Sequence, residues 1–177
     1  MRIRPHTRTD ADRIAEILAA GWRQAYSGFM PPEILEPRID AGRRKTEIAE
    51  WLDDEFDPEI EALLVAEDAA GLTGFIHIEL GDKAGLGATG IVNLLYVDPG
   101  AQGRGIGRAL MAEGTRWLLQ RSPGPLVLSA YADNPFRHAY AAMGGLEAKQ
   151  IVSRFGAHDL ASVLYLWPDP HILLAKI

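Results

Sequence analysis

One segment limits what this chain can fold into more than any other: Val97-Asp98-Pro99-Gly100-Ala101-Gln102-Gly103-Arg104-Gly105-Ile106-Gly107-Arg108. An apolar run ends at Val97, Asp98-Pro99-Gly100 breaks it, and the helical spacing of Ile106, Ala109, Leu110, Gly114 and Trp117 starts inside the glycines. A strand that feeds a helix through a glycine-rich turn belongs to an α/β architecture. The same turn suits an anion. A helix start leaves several N–H groups without partners, all pointing one way. Glycine permits positive φ and close approach, so those groups can converge on a pyrophosphate. Arg104 and Arg108 can add charge-assisted bonds.

The remaining sequence arranges itself around this unit. Arg2 to Arg4 reads as a short strand stopped by Pro5. Thr9 with Asp12 resembles a capping box, and Ile14, Ile17, Leu18, Trp22 and Ala25 follow at helical spacing until Ser27-Gly28 and Pro31-Pro32. A second helix is predicted over Ala41 to Leu52, with Arg43-Arg44-Lys45 on its solvated start. Ala62 to Glu67 and Phe75 to Leu80, joined by Gly71-Leu72-Thr73-Gly74, read as a hairpin. Gly81 to Gly90 is a glycine-rich loop and Ile91 to Val97 a third strand. After the helix from about Gly105 to Gln120, Leu126 to Ala130 is strand and Pro135 to Met143 helix, ended by Gly144-Gly145. Strands near Glu147 to Arg154 and Ser162 to Trp167 complete the pattern. Residues 1–177 are therefore expected to form a single α/β domain with a mixed central sheet and no linker.

Composition bounds the function. At this size about 70% of the unfolded surface is buried on folding, so no staple is needed. The absence of cysteine excludes a disulfide framework, a thiolate metal site and a cysteine nucleophile, and fits a reducing cytoplasm. The net charge of −6 argues against a general hold on nucleic acid. No apolar run approaches the ~20 residues that span a bilayer. The five histidines show no metal-ligand spacing, so no metal is expected. No Gly-x-Ser-x-Gly elbow is present.

Two phosphate motifs fail on the central segment. From Gly103 the sixth position of the dinucleotide fingerprint is Arg108, and from Gly100 the third is Gln102. The P-loop needs Gly-Lys-Ser/Thr, whereas Gly105 precedes Ile106. Gln-x-x-Gly-x-Gly/Ala fits, as Gln102-Gly103-Arg104-Gly105-Ile106-Gly107. With Leu95-Tyr96-Val97-Asp98-Pro99 before it, Gly107-Arg108-Ala109-Leu110-Met111 after it, and Tyr140 followed by Gly144, the sequence resembles the GNAT superfamily of acyl-CoA-dependent N-acyltransferases. A tight strand–helix turn without a ligand is the alternative for the loop alone.

The resemblance implies an acetyl-CoA-dependent N-acetyltransferase acting on a primary amine of a small molecule or peptide by direct attack in a ternary complex. It implies pyrophosphate on the backbone of Gln102, Gly103, Arg104, Gly105, Ile106 and Gly107, with Arg108 beside it. It further implies a pantetheine arm paired with Leu95, Tyr96 and Val97, a gap between splayed strands for the thioester, Asn134 near the pantetheine, and Tyr140 as general acid. Asn134 stands one residue closer to Tyr140 than the family spacing, so Asp133 competes with it. Among further candidates, Glu79 reads as a general base or a solvated strand carboxylate, and Arg137 as a phosphate contact or an exposed helix arginine. Trp22, Tyr26 and Phe29 read as the acceptor pocket or as core packing. His77 and His138 read as structural. The tail strands predict an edge able to pair with a second copy. A non-catalytic acyl-CoA-binding or regulatory domain is the rival reading.

Overall fold

Strand alternation decides which side each residue takes. A computed structural model describes residues 1–177. In β2 (Glu61–Asp68), Ala62, Leu64 and Ala66 enter one core while Leu63 and Val65 enter another. In β3 (Gly71–Leu80), Ile76 and Ile78 join the first core and Phe75 the second. Strands buried on both faces read as unbroken apolar runs, and both faces must be covered. One cover is α1 (Ala11–Tyr26), α2 (Pro32–Ile39) and α3 (Ala41–Asp54); the other is mainly α4 (Ile106–Arg121), with α5 (His138–Ala142) and α6 (His171–Ala175) at its end.

The sheet runs β1 (Arg2–Pro5), β2, β3, β4 (Gly90–Val97), β5 (Leu126–Tyr131), β7 (His158–Trp167), β6 (Leu146–Phe155). All neighbours are antiparallel except β4 and β5. This is the mixed α/β sheet with helices on both faces that the sequence predicts. β4 and β5 pair only through Gly90–Leu126, Ile91–Val127 and Val92–Leu128. Beyond that point β5 continues on β7 as far as Tyr131–Ser162, while β4 continues on β3 to Val97. The two strands therefore part at Asn93.

Several local readings are corrected. The capping box lies on Thr7 and Asp10, not Thr9 and Asp12: Asp10 Oδ2 accepts from Thr7 N at 2.7 Å and from Thr7 Oγ1 at 2.9 Å. Arg4 decides this, because its guanidinium donates to both Asp10 oxygens at 2.7 and 3.0 Å and fixes that carboxylate. Pro31-Pro32 opens α2, Pro32 taking the first helical position where its missing N–H costs nothing. α6 follows β7 where the sequence reading has no element. No helix is long and apolar enough to cross a membrane.

Candidate active site

The turn between β4 and α4 is built to hold its amides open. Asp98 accepts from Gly100 N at 2.9 Å and also pairs with Arg13 of α1, which sets the turn after Val97. Gly105 then takes φ +78°, a conformation that side chains rarely adopt, and becomes the residue before α4. The amides of Gly103 through Arg108 donate to no acceptor in the protein. They are concentrated at the positive end of a sixteen-residue helix. The Gln102 side chain is taken up within the protein. Its amide exchanges hydrogen bonds with Gln24 of α1 at 2.8 and 3.1 Å and reaches Val97 O at 3.3 Å. Its part is to brace the loop against α1.

A cavity of about 880 Å³ extends from this loop into the gap between β4 and β5. Gln102, Gly103, Gly105, Ile106, Gly107 and Arg108 line it, as do Leu95, Tyr96 and Val97. From Asn93 onward β4 has no strand partner on the β5 side, so an extended guest can pair with that edge. Gly21 permits the fit on the other face: a Cβ there would lie 2.4 Å from Tyr96 Cδ1. Arg104 is turned away, pairing with Asp68 at 2.7 Å, and does not line the cavity. Arg108 lines it and forms no ion pair with the protein.

Tyr140 and Asn134 both reach the cavity. Asn134 Oδ1 caps the turn before α5 by accepting from Phe136 N at 2.9 Å, and its Nδ2 donates to no protein acceptor. Tyr140 lies against Tyr165, centroids 5.5 Å apart, and burial pushes its phenol pKa well above the ordinary value of 10.0. Its hydroxyl makes no protein hydrogen bond. Arg137 departs from the phosphate expectation. Its Nε donates to Ala132 O and its Nη1 to Glu147 Oε1 and Tyr165 OH, each at 2.8 Å, and it lies outside the cavity.

Trp22 and Tyr26 line the cavity, whereas Phe29 packs behind Tyr26 at 5.8 Å between centroids. The sequence reading passes over Tyr131, whose ring closes on Tyr26 at 5.4 Å. It also passes over Asn93, a polar residue in the apolar run Ile91 to Val97. The β3–β4 register shifts between His77–Leu94 and Ile78–Val92, leaving Asn93 as the extra residue of a bulge. Trp22, Asn93 and Leu94 also line a second cavity of about 430 Å³ under α2 and α3, with Arg38, Arg44, Glu47, Trp51 and His77.

Glu79 lies in neither cavity. It sits toward the far end of β3, near Glu61 and His77, their ligand atoms within 4.8 Å of one another. Of the three, His77 alone faces the second cavity; its Nε2 meets Glu61 at 2.5 Å, and Glu61 Oε1 accepts from Asp57 N at 2.7 Å. Such a trio has the spacing of a cation site, with Glu61 already held by two protein groups. No carboxylate or imidazole lines the larger cavity.

Residues 59–144 match the model of an acetyltransferase (GNAT) domain. The chain is similar to mycothiol acetyltransferase of Rhodococcus erythropolis, 36% identical over 132 residues, covering 71% of this chain and 39% of that protein. It thus spans between about three tenths and two fifths of the length of the curated relatives it matches. Among solved structures, the fold is similar to the GCN5-related N-acetyltransferase of Rhodopseudomonas palustris, with TM-score 0.73, 20% identity and 93% of each chain covered. It is also similar to the PaiA N-acetyltransferase of Thermoplasma acidophilum in complex with coenzyme A, with TM-score 0.63 and 18% identity, covering 92% of this chain and 96% of that one.

Proposed function

With a GNAT acetyltransferase domain over residues 59–144 set in a GNAT fold, the chain belongs to that superfamily, and we propose that it transfers an acetyl group from acetyl-CoA to an amine. One observation carries the reading: open amides from Gly103 to Arg108 stand at one end of a cavity whose other end is the parted edge of β4. A pyrophosphate suits the first and an extended pantetheine the second. Asn134 Nδ2 and Arg108 are free to bond the same guest.

The reaction is direct. The neutral amine nitrogen attacks the thioester carbonyl carbon, a C–N bond forms, and the C–S bond breaks. Holding both reactants in one cleft supplies much of the rate. The unpaired edge of β4 past Asn93 offers N–H donors to the carbonyl oxygen as charge develops there. Tyr140 meets the departing sulfur. Burial keeps its phenol protonated through neutral pH, so it acts first as a hydrogen-bond donor and yields its proton as sulfur becomes anionic. The ammonium proton leaves toward the second cavity, by water, past Asn93. Glu47 is a poor receiver there: burial opposes its charge, but bonds from Arg43 and Arg44 outweigh that and lower its pKa. His77, backed by Glu61, is the better base. Glu79, outside both cavities, has no part in this scheme. A homodimer through the outer sheet edge belongs to the same reading.

Thermal melting tests it first. Acetyl-CoA and coenzyme A raise Tm, as ligands selective for the native state do, and ATP and NAD at matched concentration raise it much less. Thiol release from acetyl-CoA with a panel of amines then reads turnover. Equal shifts from all four nucleotides overturn the assignment. Coenzyme A binding without turnover of any amine leaves the non-catalytic acyl-CoA-binding reading.

A further inference from the structure

We infer that the acceptor carries an oxyanion, a carboxylate or a phosphate, separated from its amine by a spacer, and that Arg38 and Arg44 hold that oxyanion beside Trp22. The inference rests on the acetyl-transfer reading above. Three helices meet at the second cavity: Trp22 from α1, Arg38 from α2, Arg44 from α3. The two guanidinium carbons stand 5.1 and 5.7 Å from the centroid of the indole ring. Neither side chain is free to swing away. Arg38 Nη1 donates to Ile34 O and Arg44 Nε to Arg38 O, both at 3.0 Å.

Charge is unbalanced there. Glu47 is the one acidic residue lining the cavity, and Arg44 shares it with Arg43. Arg38 has no carboxylate partner. A chain of net charge −6 thus gathers two fixed, half-buried cations on one ring at the mouth of the cleft. Like charges held this close repel, and a bound oxyanion relieves the repulsion. Burial raises the phenol pKa values of Tyr131 and Tyr96 in the first cavity, and the charges of Arg38 and Arg44 respectively offset a small part of that rise. A planar guanidinium offers paired donors matched to a carboxylate or phosphate.

Position supplies the spacer. The acyl carbon has to lie in the larger cavity, where β4 and β5 part, whereas the arginines line the smaller one. Trp22, Asn93 and Leu94 border both. Amine and oxyanion therefore fall in adjoining cavities that share Trp22, Asn93 and Leu94.

The test begins with calorimetry of coenzyme A on the full chain; no binding there ends the acetyl-transfer reading and this inference with it. With binding in hand, thiol release from acetyl-CoA is compared for matched amines: aminohexanoate against hexylamine and diaminohexane, phosphoethanolamine against ethanolamine. The expected result is kcat/KM at least ~10-fold higher for the anionic member of a set, the effect of one charge-assisted bond. Arg38→Gln brings that ratio toward one, and Arg38→Lys, which keeps the charge, retains part of it. Neutral or cationic amines used equally well, or an unchanged ratio in a folded Arg38→Gln protein, overturn the inference while leaving acetyl transfer standing. If none of these amines turns over, calorimetry on the coenzyme A-loaded protein decides. Tighter binding of the anionic amine, lost in Arg38→Gln, supports the inference, and equal or absent binding overturns it.

Discussion

In the proposed reaction Tyr140 supplies the proton to sulfur from the larger cavity, and His77 takes one up from the smaller. Tyr140→Phe removes one oxygen and keeps the ring against Tyr165. Acid contributions run ~10²–10⁴-fold, and a thiolate leaves readily, so kcat should fall by about 100-fold with KM for acetyl-CoA and Tm nearly unchanged. A Phe variant with full turnover would hand the proton to water. His77→Gln should lower kcat/KM for the amine by ~10²-fold, the low end for a lost general base, with KM for acetyl-CoA nearly unchanged. Unaltered turnover would remove His77 from the reaction and leave it as the partner of Glu61 and the edge of Trp51 at 4.9 Å.

At the scale of elements, the junction of β4 with α4 is the most exacting. Gly105→Val forces a branched side chain into φ +78°, so the helix start must move and its amides lose their common aim. Calorimetry should show coenzyme A affinity down at least ~10-fold in a folded variant. At the other end of the sheet, Arg4 joins β1 to the start of α1. Its guanidinium bonds hold the Asp10 carboxyl at about 2, against 3.8 for the free group. A pKa depressed on folding stabilises above the unfolded value, and that contribution is lost as pH falls through the folded one. Asp10→Asn should therefore cost about 2 kcal/mol at pH 7. In denaturant titrations the gap from the parent should close between about pH 4 and pH 2. What the sequence makes legible follows from the same physics. The loop, its flanking strand and helix, and the order of the main elements are local patterns, and all are read from spacing. α2 escapes because Pro31-Pro32 signals a break and a start with the same residues. Trp22 is read as a pocket candidate, but its grouping with Arg38 and Arg44 escapes because three separate helices bring them together, and nothing in the chain order announces it. Arg104 and Arg137 look like phosphate ligands until Asp68 and Glu147 claim them across the fold.

The whole molecule ends in a free margin. β6 is the outermost strand, and Leu146, Val152 and Phe155 on it are 58%, 67% and 37% exposed. An edge of this length and character favours pairing with a second copy, two-fold and self-complementary. Light scattering should give twice the 19.4 kDa chain mass at high micromolar concentration, and Val152→Lys should shift it toward the monomer. A parent protein that remains monomeric there ends the dimer proposal. Within one copy, the parting of β4 from β5 is a notch cut into a seven-stranded plate. Three residue pairs are the whole of the strand ladder that joins β1 to β4 with β5 to β7. An extended guest whose amides bridge the notch would mend the plate, so a molecule carrying such a guest should be stiffer across β4 and β5 than an empty one.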